Sequence, residues 1–166
     1  MMKYFWSILI IVFALISCKS DDESLQRIDQ VMNIYMKSNT NPDLLNAKKS
    51  GSYTAYSVND MLGDRDISPV SIPLKMRPDS TFYMEYISGA KRRKLDSAGT
   101  IYYSRMRLTL SRNVNNAPEN TFDTLEIRYR NSLEVFQVSQ VLYNRKLMFS
   151  KEAGAANSIN EVTIVK

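Results

Sequence analysis

The side chains able to do chemistry are few in kind. The 166-residue chain has one cysteine, Cys18, and no histidine. Zinc, copper and iron sites built on imidazole or several thiolates are therefore excluded. So are Ser-His-Asp and Cys-His nucleophiles and a histidine general base. Carboxylate, lysine and tyrosine chemistry is left, with oxygen ligation of a cation such as calcium. Asn59-Asp60 and Asp64-Arg65-Asp66 offer oxygens around Gly63. Their spacing does not match the twelve-residue calcium loop with its closing glutamate. No carboxylate pair stands out as an acid/base couple, and no glycine-rich phosphate loop occurs. No catalytic residue, metal or cofactor is expected.

Two basic groups deserve a binding role more than a catalytic one. Lys91-Arg92-Arg93-Lys94 is the densest charge cluster and follows Gly89 between two predicted strands. It suits phosphate, a lipid headgroup or an acidic glycan. The plainer reading is a solvated hairpin loop. Arg105, Arg107, Arg128 and Arg130 form a basic stripe if their strands are neighbours, and otherwise the ordinary outer face of a sheet. The net charge of +5 is a mild surplus and makes no case for nucleic acid. The tyrosines at 53, 56, 83, 86, 102, 103, 129 and 143 could line a cavity, although cross-strand packing is the commoner use.

The lone cysteine carries its meaning in its context. Lys3 supplies a positive start, Ile8 to Ile16 is almost wholly apolar, and Leu15-Ile16-Ser17-Cys18 follows. The apolar run is short of the roughly 20 residues of a membrane span and fits a secretory leader. The four residues resemble the processing box of bacterial lipoproteins. That resemblance implies cleavage before Cys18, a diacylglyceryl thioether on its sulfur, and a palmitate-type acyl chain on its new amino group. Removal of the first 17 of 166 residues would leave 149 and take away Trp6, the only tryptophan. Lys19-Ser20-Asp21-Asp22-Glu23 resembles the surface-export signal of Bacteroidetes lipoproteins; alternatively it is a short solvated tether, or its acids suit the positive end of a helix that follows. The expected address is the outer membrane, on its periplasmic face or at the cell surface. Residues 1–17 are thus read as leader, 18–23 as tether and 24–166 as one domain, a length that suits a single core.

Within that domain, Leu25, Ile28, Val31, Met32 and Tyr35 recur at helical spacing, which predicts an amphipathic helix over Ser24–Lys37. Its stripe would pack on the core or touch the membrane. From residue 52 the period becomes two. Strands are expected around 53–58, 80–88, 100–110, 123–129, 133–138, 141–149 and 159–165. Val70–Met76 is demoted to an edge or loop by Pro73. Asn113–Asn120 reads as the most mobile loop. Pairing at hairpin spacing predicts an antiparallel meander, closed as a barrel or folded as a sandwich.

Pro78-Asp79-Ser80-Thr81-Phe82, Gly99, Leu108 and Leu110, and Leu147-Met148-Phe149-Ser150-Lys151 together resemble bacterial lipocalin-like lipoprotein domains. Gly51-Ser52-Tyr53 departs from them in lacking the usual first-strand tryptophan. The resemblance implies a lipocalin-like barrel preceded by one helix. The expected function is non-catalytic: binding an apolar or glycan ligand, or serving as an accessory subunit of an envelope complex through a protein partner. The alternative is a small envelope enzyme or inhibitor using loop carboxylates or the basic hairpin.

Overall fold

The computed structural model describes residues 25–166. Cys18, the tether residues Lys19, Ser20, Asp21, Asp22 and Glu23, and the leader lie outside the described residues. What is described is mainly β, with eleven strands in two sheets and no helix.

A three-strand ladder forms the centre of the larger sheet. β7 (Ile101–Val114) and β8 (Ala117–Asn131) pair from Ile101↔Arg130 to Val114↔Ala117. Asn115 and Asn116 turn the chain between them with φ of 50° and 62°, the primed-turn geometry that matches strand twist and that asparagine tolerates. Residues 113–120, expected as a loop, are therefore the tip of a long hairpin. β9 (Val135–Tyr143) pairs with β8, and β10 (Lys146–Ser150) returns along β9. The turn between them is Asn144-Arg145, with φ of 49° and 68°. This corrects the expected division into 133–138 and 141–149. No glycine or proline marks the turn; the Asn144 side chain builds it, accepting from the Thr124 N–H at 2.8 Å and donating to Asp123 at 2.6 Å.

Short strands fill the edges. β1 (Arg27–Asp29) runs parallel along Val135–Gln137 of β9. On the other side, β3 (Ala55–Asp60) and β6 (Arg93–Lys94) share β7. The sheet curls into a half-barrel. It stays open, because the edge held by β1 and β10 does not pair with the edge held by β3 and β6.

The smaller sheet has the order β11 (Asn160–Val165), β2 (Met32–Lys37), β5 (Phe82–Tyr86), β4 (Leu74–Met76). β4 is an edge strand, as Pro73 implied. The helix expected over Ser24–Lys37 is corrected, for its described residues, to β1 and β2 on either side of a corner at Gln30-Val31. Met32, Ile34 and Met36 are fully buried at a period of two, while Leu25 and Ile28 of the supposed helical stripe are exposed. The deciding partner is remote: β11 pairs parallel with all six residues of β2. The two parallel ladders also correct the expectation of a purely antiparallel meander.

Both inner faces feed one core. Met106, Leu108, Leu110, Leu125, Ile127 and Tyr129 of the larger sheet join Met32, Ile34, Met84, Tyr86, Val162 and Ile164 of the smaller. Burying each such side chain stabilises by about 1.5–3 kcal/mol. The core also holds polar groups. Burial pushes the Tyr129 hydroxyl above its ordinary range, with Tyr86 adding to the effect and Ser104 and Arg92 opposing it. At the side where the sheets approach, Lys151 Nζ meets Asp29 at 2.5 Å, and both side chains are buried. Asn160 joins them, donating to Asp29 at 3.0 Å.

Candidate functional site on the outer face of the large sheet

Strand alternation sends the odd residues of β7 and the even residues of β8 to the side away from the core. Register then decides which of them meet. Tyr103 stands opposite Arg128, Arg105 opposite Glu126, Arg107 opposite Thr124 and Ile101 opposite Arg130. The stripe of Arg105, Arg107, Arg128 and Arg130 is therefore formed. On the β6 side, Arg93 lies opposite Tyr103 and joins the same face. Five arginines thus share one surface, at spacings of about 7 Å along a strand and about 5 Å across strands. The strand positions among them carry one carboxylate, Glu126, with Glu152 at the rim of an adjoining hollow.

Glu126 organises the centre. Arg105 donates to it from Nε at 3.0 Å and Nη2 at 2.7 Å, and Arg128 Nε donates at 2.9 Å. Burial raises the Glu126 carboxyl, but the two guanidinium groups outweigh it and hold the group below the usual range. Glu126 is therefore ionised at neutral pH. The Arg105 guanidinium also lies 5.4 Å from the Tyr103 ring, and Arg128 Nη1 donates to Gln140 at 3.1 Å. One Nη of Arg130 is shielded from solvent without an acceptor. Arg107 is exposed.

Two hollows adjoin along this face and share Arg128. One, of about 740 Å³, is lined by Arg105, Glu126, Arg128, Leu142, Arg145 and Met61. The other, of about 310 Å³, brings Arg130, Leu95, Ile101, Gln140 and Ser139 around the same arginine. Arg145 enters from the left-handed turn after β9, a conformation that costs a non-glycine residue about 1–2 kcal/mol. By contrast, the outer face of the smaller sheet pairs its charges: Lys75 with Glu85 at 2.6 Å and Arg77 with Glu161 at 3.2 Å.

The cluster Lys91, Arg92, Arg93, Lys94 divides. The Lys91 N–H donates to Asp60 at 2.6 Å, and its ammonium pairs with Asp64. Arg92 turns inward and lies 4.8 Å from the ring centroids of both Tyr129 and Phe136. Lys94 reaches the Gly99 turn. Only Arg93 stands on the arginine face. Of the loop oxygens considered for calcium, those of Asn59 and Asp60 serve the backbone instead. Asp60 accepts from the Leu62 and Lys91 N–H groups, and Asn59 from the Ser68 N–H at 2.6 Å. Three features of the candidate site escaped the sequence: the place of Arg93, the clamp on Glu126 and the entry of Arg145. All depend on register or turn position. No family model, curated protein or solved structure matches the chain.

Proposed function

We propose that the protein is a lipid-anchored, non-catalytic binding domain of the bacterial outer membrane that holds an acidic glycan on the arginine face of its large sheet. The observation that carries this reading is the register that gathers Arg93, Arg105, Arg107, Arg128 and Arg130 against the single strand carboxylate Glu126. Guanidinium forks match carboxylate and sulfate oxygens two at a time. Leu95, Ile101, Leu142 and Met61 beside them offer apolar contact for the CH faces of sugar rings. The anchoring part rests on the leader and on Leu15-Ile16-Ser17-Cys18, and the address on the tether that follows.

Recognition at the surface is favoured over carriage within because Tyr86, Tyr129, Met32, Met84 and Met106, all fully buried, occupy the space between the sheets. The described loop carboxylates lend little to an enzyme: Asp43, like Asp60, is spent on backbone N–H groups, those of Leu45 and Phe82.

Calorimetric titration of the domain with a heparin-derived tetrasaccharide tests the reading. Replacing Arg128 and Arg130 together by Gln should weaken binding about tenfold or more, since loss of one charge-assisted hydrogen bond already costs about 1.5 kcal/mol. Glu126→Gln should strengthen binding, because it removes the competing anion and frees two forks. Changing Lys91 and Lys94 to Gln should have little effect. Equal losses from the lysine and arginine pairs would reject the site. Binding to anionic vesicles with none to the tetrasaccharide would reassign the face to lipid headgroups.

A further inference from the structure

Among the described residues, the two most exposed large apolar side chains flank one hydrogen-bonded corner, where the chain before β1 meets the turn between β8 and β9. Leu25 is 92% exposed and Leu133 is 93% exposed. Their neighbours lock together: Gln26 donates to Asn131 at 2.9 Å and to the Ser132 carbonyl, and the Arg27 N–H donates to the Glu134 carbonyl at 2.9 Å. Leu133 occupies a fixed turn, closed by Ser132 N–H to the Val135 carbonyl at 2.9 Å. The Ala98-Gly99 turn flanks it, tied through Asn131 to the Gly99 carbonyl at 3.1 Å. Exposed leucines held by an ordered turn gain nothing in water.

Chain length says what lies nearby. From Cys18 to Leu25 is seven residues, a reach of at most about 25 Å when extended. We infer that this end is a membrane-seating surface, in which Leu25 and Leu133 enter the headgroup–acyl boundary of the bilayer to which Cys18 is tethered. The inference rests on the anchoring reading of Cys18. Glu134 and Asp96 stand on the same turns as exposed or half-exposed carboxylates, so attraction to anionic lipid is not the driving force. The contact is apolar, as at the faces of peripheral helices that lie at this depth. Arg27 of β1 and Lys94 of β6 are exposed, and their stems are long enough to keep their charges in the headgroup layer. Seating this end turns the long hairpin outward. The tip at Asn115-Asn116 then stands farthest from the membrane, and the arginine face runs outward from Arg130 to Arg107.

Loss of Trp6 with the leader provides a clean probe. The acylated mature protein, from Cys18 to Lys166 and carrying Leu133→Trp or Phe122→Trp, is reconstituted in neutral phosphatidylcholine vesicles with brominated acyl chains. Phe122 is exposed and lies about 30 Å along β8 from the seating end. Tryptophan at 133 should be blue-shifted and strongly quenched, and tryptophan at 122 should be neither. Quenching at 133 no greater than at 122, with the protein floating with the vesicles, would overturn the seating and leave the anchor standing. If Cys18→Ala floats as well as the parent, the anchor itself is rejected. Strong quenching at both sites would show that the introduced tryptophan drives contact, which also overturns the inference.

Discussion

At the scale of single residues, the face is made of arginines that local structure aims and only partly neutralises. Glu126 offsets one charge while engaging two forks, so it both orders the centre and competes with any acidic ligand. Arg145 shows a tension between folding and binding. It sits in a left-handed turn at φ 68° and lines the larger hollow, which fits strain kept where a side chain is needed. Arg145→Gly should stabilise the fold by about 1 kcal/mol and weaken acidic-oligosaccharide binding. Urea unfolding together with titration checks both signs. A variant that is less stable or binds as well would contradict this role. The stripe of Arg105, Arg107, Arg128 and Arg130 was legible in the sequence as a conditional, awaiting only the neighbour relation of its strands. Arg145 was not legible, because an Asn-Arg pair inside an apolar run carries no glycine to announce a reversal.

At the scale of elements, the alternating runs at 80–88, 100–110 and 123–129 fall within strands as expected, because each of those strands pairs with a chain neighbour and is half-buried. Phe82, Met84 and Tyr86, and Leu125, Ile127 and Tyr129, sit on the core side at the expected period. Residues 25–37 misled because apolar residues at 28, 31, 32 and 35 satisfy a helical period, while those at 32, 34 and 36 satisfy a strand period. What decides between them is β11, more than a hundred residues away. The joint between these remote pieces is the buried Asp29–Lys151 pair with Asn160. Lys151→Met leaves Asp29 buried without its cation and should cost about 3–5 kcal/mol. Adding Asp29→Asn should recover much of that loss. Chemical denaturation of the two variants measures it, and a single variant as stable as the parent would show that the pair does not hold the joint.

At the scale of the whole molecule, a half-open sheet over a smaller one separates two surfaces. The corner bearing Leu25 and Leu133 lies by the Asn131 end of β8, and the outer face of β7 and β8 runs from there toward the Asn115-Asn116 turn. Of the expected barrel or sandwich, the curl of a barrel is present in the large sheet, and a second sheet covers its inner face to complete the core. An acidic ligand should touch the outer face of the large sheet and no other surface. The most direct measurement follows the arginine Nε–Hε resonances of the domain during titration with the heparin-derived tetrasaccharide. Arg105, Arg128 and Arg130 should shift together and saturably, while Arg92, stacked on Tyr129 and Phe136, stays still. Shifts confined to Arg77 or Arg112, or none among the arginines of the large sheet's outer face, would contradict it.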